Sequence, residues 1–218
     1  MIRVDHDTYA IAYYGYNQPT DNAWGGWIKT FNVNGGTITE VAKLKHFTST
    51  VYDNSFIKVD GNTFALAWSD NSYDGHITTF TISNDGATIT EVASLEHDTD
   101  YGRYPSFEQL DSDTYVLAYS GSSYDGFIKT FTIAADGATI TQVASLEHDE
   151  TYGIYNSLVR TNNNSFLLAY SGDGDDGFLK TFTIPDDGSS ITQVTSNEHD
   201  PNSVTDNYMV QIDHDSYV

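Results

Sequence analysis

The sequence predicts an all-β chain made of repeated four-stranded antiparallel units. Its composition is one of strand and turn formers, because Tyr (16 residues), Phe (11), Thr, Val and Ile favour strands, whereas Gly (17), Asn, Asp and Ser favour turns. Four histidines recur every 51 residues, at His46, His97, His148 and His199. A fixed period of this length is typical of repeat architectures.

The third repeat shows the four strands in order. Residues 104–110 form the first strand, and residues 114–120 form a second that is apolar on both faces and therefore central. Residues 127–133 form the third strand, and residues 139–146 alternate with period two as the fourth. Asp136-Gly137 supplies the tight turn between the last two strands. Four antiparallel strands in a unit of this length are typical of a β-propeller blade.

We expect one β-propeller domain over residues 1–218. Its repeats cover about 1–46, 47–97, 98–148 and 149–199, followed by a partial fifth over 200–218. The ends, MIRVDHDTYA and MVQIDHDSYV, occupy the same place in the repeat. Either the chain is a piece of a longer propeller, or four blades close a ring in which the last strand completes the first blade. Both interpretations leave open strand edges, so self-association into a homo-oligomer through the terminal strands is expected.

The segment Ser120–Phe131 (SGSSYDGFIKTF) resembles the blade pattern of the tryptophan-aspartate (WD) repeat propellers. Glu96-His97 stands where that family has a Gly-His pair, and Phe131 stands where it has a Trp, although the Trp-Asp dipeptide is absent and the units are longer. The resemblance implies a hydrogen-bonded network within each blade between the histidine, a second-strand serine and a turn aspartate. The implied groups are His46 with Asp74, His97 with Ser120 and Asp125, and His148 with Ser171 and Asp176.

Charge and composition exclude several classes of function. Lys and Arg total 9 against 31 Asp and Glu, a net charge of −22, so no nucleic-acid partner is expected. No apolar run is long enough to insert into a membrane, and the absence of Cys excludes thiolate metal sites. Histidines spread over successive blades predict no metal site either. The acidic surplus favours an extracellular or cell-surface location. No cofactor is expected, with calcium at Asp173–Gly177 the weak exception, since that loop lacks the later glutamate ligand.

Aromatic loop residues are the candidate ligand contacts. The first unit carries six extra residues between its second and third strands, in a loop that includes Tyr16 and Trp24. The loops of the later units place tyrosines on one face of the propeller: Tyr73, Tyr101, Tyr124 and Tyr152. Flat apolar rings beside amides and carboxylates suit a carbohydrate or protein ligand. In the alternative interpretation these tyrosines pack between blades and Trp24 folds back onto its own blade.

The function expected from the sequence is a non-catalytic binding module, not an enzyme. A purely structural or display domain is the alternative. A glycoside hydrolase needs two carboxylates in different roles near the axis, yet most acids recur in step with the repeat, at turns. Glu108 is the one clear acid within a first strand.

Overall fold

The computed structural model describes residues 1–17, 22–213 and 216–218. Its described part consists of strands, two 3-10 turns (Ser122–Tyr124 and Asp173–Asp175) and loops. Helices long and apolar enough to cross a membrane are absent from the described residues.

Four antiparallel sheets follow one another along the chain, and in each the strands pair in sequence order. The first blade contains β1 (Ile2–Arg3), β2 (Thr8–Asn17), β3 (Ala23–Asn34) and β4 (Thr37–Phe47). The second contains β5 (Tyr52–Asp60), β6 (Thr63–Ser69), β7 (Gly75–Ile82) and β8 (Ile89–Asp98). The third contains β9 (Arg103–Gln109), β10 (Thr114–Ser120), β11 (Gly126–Ile133) and β12 (Ile140–Asp149). The fourth contains β13 (Ile154–Asn162), β14 (Ser165–Ser171), β15 (Asp176–Thr183) and β16 (Thr192–Ser203).

A short terminal hairpin, β17 (Gln211–Asp213) and β18 (Ser216–Tyr217), follows the fourth blade. The all-β fold of four-stranded propeller blades predicted from the sequence is confirmed. Among the described strands, extensive packing links consecutive blades, so the blades form an arc with the hairpin beyond the fourth blade. In the part of the chain that the structure describes, the strands of the terminal hairpin pair only with each other and not with the first blade. His214 and Asp215, part of the second terminal repeat of the sequence, lie outside the described residues.

The hydrophobic core is divided into layers between neighbouring blades. Strands β6 and β10 are buried along their whole length because both of their faces are covered by adjacent blades. One layer joins the second and third blades and includes Ala65, Leu117 and Phe131. The next joins the third and fourth blades and includes Val116 and Phe166. Each blade therefore needs a neighbour on each side to bury its apolar side chains.

Glycine turns lock each blade to the preceding one. Gly137 has a φ of 76°, a backbone conformation that glycine tolerates best. Its carbonyl accepts a hydrogen bond from Thr79 Oγ1 at 2.7 Å, across the blade interface. A Cβ at this position would lie 3.0 Å from Thr63 Cγ2, so both conformation and space select glycine.

The histidine networks implied by the WD-repeat resemblance are not formed. His97 and His148 are only 6% exposed, and within the described part of the chain their ring nitrogens have no hydrogen-bond partner, nor has Ser120 Oγ. Burial lowers the pKa of both histidines to about 3, so both rings are neutral at pH 7. Each ring instead packs edge-on against a tyrosine of the next blade, His97 on Tyr119 at 4.8 Å and His148 on Tyr170 at 4.9 Å.

The other members of the predicted networks have different surroundings. His46 packs against Trp68 at 5.1 Å, and burial lowers its pKa to about 4. Ser171 Oγ donates to the Val204 carbonyl. The turn aspartates Asp74, Asp125 and Asp176 are half-buried. The predicted networks fail because each histidine ring packs against an aromatic ring of the next blade, Trp68, Tyr119 or Tyr170, and not against the serine and aspartate of that blade.

The polar bonds between blades use the aspartates that follow His97 and His148. Tyr119 Oη donates to Asp98 Oδ2 at 2.8 Å, and Lys129 Nζ donates to the His97 carbonyl at 2.7 Å. The fourth blade repeats the arrangement, since Tyr170 Oη donates to Asp149 Oδ2 at 2.7 Å. These bonds tie the end of one blade's fourth strand to the central strands of the next.

Candidate active site in the central channel

The first strands β5, β9 and β13 lie side by side at the inner edge of the arc and form one wall of a central channel. A serine on each strand accepts a hydrogen bond from the backbone of the next strand. Phe107 N donates to Ser55 Oγ at 3.1 Å, and Leu158 N donates to Ser106 Oγ at 2.9 Å. These bonds hold β5, β9 and β13 in one register around the channel.

Glu108 breaks the repeat in this channel wall. It pairs with Val116, and the same register position holds Ile57 in the second blade and Val159 in the fourth. Glu108 borders a cavity of about 420 Å³. Burial raises the pKa of Glu108 to about 7, although the nearby Arg160 guanidinium opposes the shift. A carboxyl group with this pKa can both accept and return a proton near neutral pH.

Asparagine side chains line the same cavity, three positions before the place of Glu108 in the repeat. Asn54 on β5, Asn156 on β13 and Asn207 after the fourth blade occupy equivalent positions of the repeat, and the third blade has Pro105 there. Asn156 Nδ2 donates to the Gly153 carbonyl at 3.1 Å, while its buried Oδ1 accepts no hydrogen bond from the residues that the structure describes. The side-chain amide oxygen of Asn156 can therefore accept a hydrogen bond from a hydroxyl group of a bound molecule.

Strained backbone surrounds the mouth of the channel. Asp53, Tyr104, Tyr155 and Asp206 stand at equivalent positions and have φ of 45°, 54°, 52° and 55°, values that non-glycine residues adopt at a cost. The Tyr104 and Tyr155 rings lie 4.7 Å apart, and Arg103 Nε donates to Asp53 Oδ2 at 2.5 Å. The mouth therefore combines aromatic rings with the Asp53 carboxylate, which Arg103 holds in place.

The predicted ligand-contact tyrosines form a continuous row around the same face. Ring centroids are 5.6 Å apart between Tyr73 and Tyr101, 5.1 Å between Tyr101 and Tyr124, and 5.8 Å between Tyr124 and Tyr152. Tyr73 and Tyr124 remain exposed. The geometry is compatible with packing between blades and with ligand contact, because the rings pack on one another and Tyr73 and Tyr124 still present an aromatic edge to solvent.

Tyr16 and Trp24 form a separate aromatic cluster on the first blade. The extra residues of this blade lengthen the hairpin, because Tyr16 pairs with Trp24 across β2 and β3. The two rings lie 5.5 Å apart, and Tyr14 stacks on Trp24 at 5.2 Å. Trp24 is 56% exposed and does not fold back onto the blade. The hairpin tip, residues 18–21, lies outside the described residues.

The weak calcium prediction finds no support in the geometry. Asp173 and Asp175 belong to a 3-10 turn around Gly174. Among residues 1–17, 22–213 and 216–218, no group of three or more acidic or histidine side chains is arranged to hold a metal ion.

Comparison with known proteins identifies fold relatives. No family model and no curated protein sequence matches this chain. A putative 6-phosphogluconolactonase from Bacteroides uniformis matches with a TM-score of 0.62 and 9% identity over 94% of this chain and 58% of that one. The periplasmic gluconolactonase PpgL of Pseudomonas aeruginosa matches with a TM-score of 0.55 and 12% identity over 89% of this chain and 69% of that one. Sqt1 of Saccharomyces cerevisiae matches with a TM-score of 0.53 and 12% identity over 80% and 44%.

These matches correct the functional expectation. At such identities they are likenesses of fold, and the chain spans about half to two thirds of the length of those proteins. The resemblance to WD repeats therefore holds at the level of propeller blades. Propellers of this fold include proteins named as lactonases, so the prediction of a non-catalytic module that is not an enzyme is wrong. That prediction relied on acids recurring in step with the repeat, which Glu108 does not do. The chain is a β-propeller whose fold relatives include proteins named as lactonases.

Proposed function

We propose that this chain carries the active site of a propeller hydrolase that opens small lactones of sugar acids, with Glu108 as the general base. The observation that carries the proposal is Glu108 itself. It is a titratable side chain in a channel wall whose equivalent positions are apolar, and it borders a cavity lined by amides and hydroxyls. The lactonase names of fold relatives support the reaction class.

The proposed reaction needs one proton acceptor that also returns the proton. The Glu108 carboxylate takes a proton from water, whose oxygen attacks the lactone carbonyl carbon. The tetrahedral intermediate then collapses and the ring C–O bond breaks. Glu108 returns its proton to the departing alkoxide, so lactone and water become one hydroxy acid. A pKa of about 7 suits both proton transfers.

The surroundings favour a neutral, hydroxylated substrate. Asn156 Oδ1 accepts a substrate hydroxyl, and the Tyr104 and Tyr155 rings offer an apolar surface to a sugar ring. The Asp206 carboxylate at the mouth, in a chain of net charge −22, disfavours a phosphorylated lactone. Ligand binding by the tyrosine row and an extracellular or cell-surface location stay predictions.

Lactone hydrolysis by the purified chain tests this proposal. Acid release from glucono-δ-lactone and other unphosphorylated sugar lactones is followed by pH-stat and compared with the spontaneous rate. We expect Glu108→Gln to lower kcat by about 10²–10⁴-fold, the contribution of a general base. Glu91→Gln makes the same chemical change on the exposed face of β8 and should leave kcat unchanged. Hydrolysis no faster than in buffer, or equal rates for Glu108→Gln and wild type, would exclude Glu108 as the base.

A further inference from the structure

The outer face of the first blade exposes positions that every other blade buries. Tyr9, Ile11 and Phe31 are half-buried there and line an open apolar depression with Met1 and Val33. Their equivalents in the later blades are completely buried: Phe64, Leu66 and Phe80 in the second, Tyr115, Leu117 and Phe131 in the third, and Phe166, Leu168 and Phe182 in the fourth. The first blade thus carries an intact blade-packing surface without a blade against it.

The outer face of the fourth blade also exposes positions that are covered in the third blade. Leu167 and Leu179 are half-buried and His199 is exposed, around an apolar cavity of about 350 Å³. In the third blade the same positions hold Val116, Ile128 and His148, which are 0%, 0% and 6% exposed because the fourth blade covers them. This second surface is therefore the one on which a following blade normally packs.

The terminal hairpin occupies only part of this surface, and it imitates the first blade. Tyr217 Oη donates to the Thr161 carbonyl at 3.3 Å, as Tyr115 Oη donates to the Val59 carbonyl at 3.1 Å in an internal interface. Met209 N donates to Ser157 Oγ at 2.9 Å in the same repeating manner. The hairpin strands contain three and two residues, and Ile212 and Val218 are 66% and 69% exposed. It therefore fills the site of a following blade incompletely.

We propose that two copies of this chain associate head to tail. The first blade of one copy docks on the fourth blade of the second copy and displaces the terminal hairpin there. The repeat supplies the argument, since the interface between the third and fourth blades already packs Val116 and Ile128 against Phe166, Leu168 and Phe182. In the proposed interface, Leu167 and Leu179 meet Tyr9, Ile11 and Phe31 of the other copy in the same relation.

This interface is heterologous, because the two copies contribute different surfaces. It either closes a ring of two copies or extends into a longer assembly. Each copy has a net charge of −22, so salt should strengthen association by screening the repulsion between copies. The proposal is independent of lactone hydrolysis.

Complementation between two defective variants tests the proposal. Ile11→Lys disables the first-blade surface and Leu167→Lys disables the fourth-blade surface. In analytical ultracentrifugation at high salt, the wild-type chain should associate and each variant alone should be a monomer. An equimolar mixture should form a one-to-one dimer, because each variant retains the surface that the other has lost. Val92→Lys, at an exposed position of β8, should associate like the wild type.

Circular dichroism spectra of the variants must match the wild type. If either lysine variant is unfolded, Tyr9→Lys replaces the first and Leu179→Lys the second. A wild-type chain that stays monomeric over the concentration series, in low and high salt, would overturn the proposal. So would a mixture that remains monomeric, or a loss of association in Val92→Lys.

Discussion

At the scale of single residues, the position of Glu108 lowers the stability of the folded chain. Its carboxyl lies where the neighbouring blades have Ile57 and Val159, and burial raises its pKa from 4.5 to about 7. A raised carboxyl pKa means that the folded state holds the proton more tightly than the unfolded state. Stability is therefore lost as pH rises from 4.5 to about 7. Such a cost at a buried acid is expected of a site selected for chemistry.

Replacing Glu108 by glutamine should consequently stabilise the chain at alkaline pH. At pH 8 we expect Glu108→Gln to gain about 3 kcal/mol over wild type, the free energy of a shift of this size. The gain should vanish well below pH 4.5, where the wild-type side chain is protonated in both the folded and the unfolded state. Melting curves of both proteins across this pH range measure it. A variant that is equally or less stable at pH 8 would show that the glutamate is solvated and that its pKa is ordinary.

At the scale of elements, the blades depend on glycines that let a histidine ring lie against the backbone. Gly126 begins β11 of the third blade, and a Cβ there would lie 2.4 Å from Cε1 of His148 on β12. The ring cannot retreat, because its other side packs on Tyr170 of the fourth blade. The second blade repeats this contact between Gly75 and His97.

Gly126→Ala should therefore destabilise the chain even though alanine normally favours order over glycine. We expect a loss of about 1–3 kcal/mol, the usual cost of overpacking a close contact. Gly61→Ala is the matched control, since no atom lies within 4 Å of a Cβ built there. Urea unfolding of the two variants compares them directly. Equal midpoints would mean that the histidine moves without cost and that the contact is not tight.

At the scale of the whole molecule, stability is distributed over interfaces between blades. Phe131 is completely buried between the second and third blades, whereas Phe31 occupies the same strand position on the open face of the first. The same side chain in the same local structure thus has two environments. The difference between them measures what a neighbouring blade contributes.

Truncating these two phenylalanines should give unequal losses. Phe131→Ala should cost about 3–5 kcal/mol, as for a large side chain removed from a packed core. Phe31→Ala should cost clearly less at protein concentrations where the chain is monomeric. Chemical denaturation of both variants tests this. Equal losses would indicate that the first blade is covered on its outer face in the single chain.

Sequence alone determined the strands, their order and the turns of this protein. Alternating apolar residues and the turn glycine Gly137 are local signals, and they predict the same strands in four copies of the repeat. The aromatic positions were also readable, because Tyr73, Tyr101 and Tyr124 recur with the repeat. Even the unusual position of Glu108 was visible as an acid within a first strand.

Only the tertiary structure decided which polar groups meet. The sequence suggested that His97 bonds Asp125 of the next unit's turn, but its ring faces Tyr119, and Asp98 makes the bond to that tyrosine. These partners come from different blades, and their choice depends on which face of one sheet packs on the next. The same holds for Glu108, whose proton affinity follows from burial in the channel and not from its sequence neighbours. Local pattern specifies the blades because strand and turn preferences act over a few residues, whereas burial between blades is a property of the assembled chain.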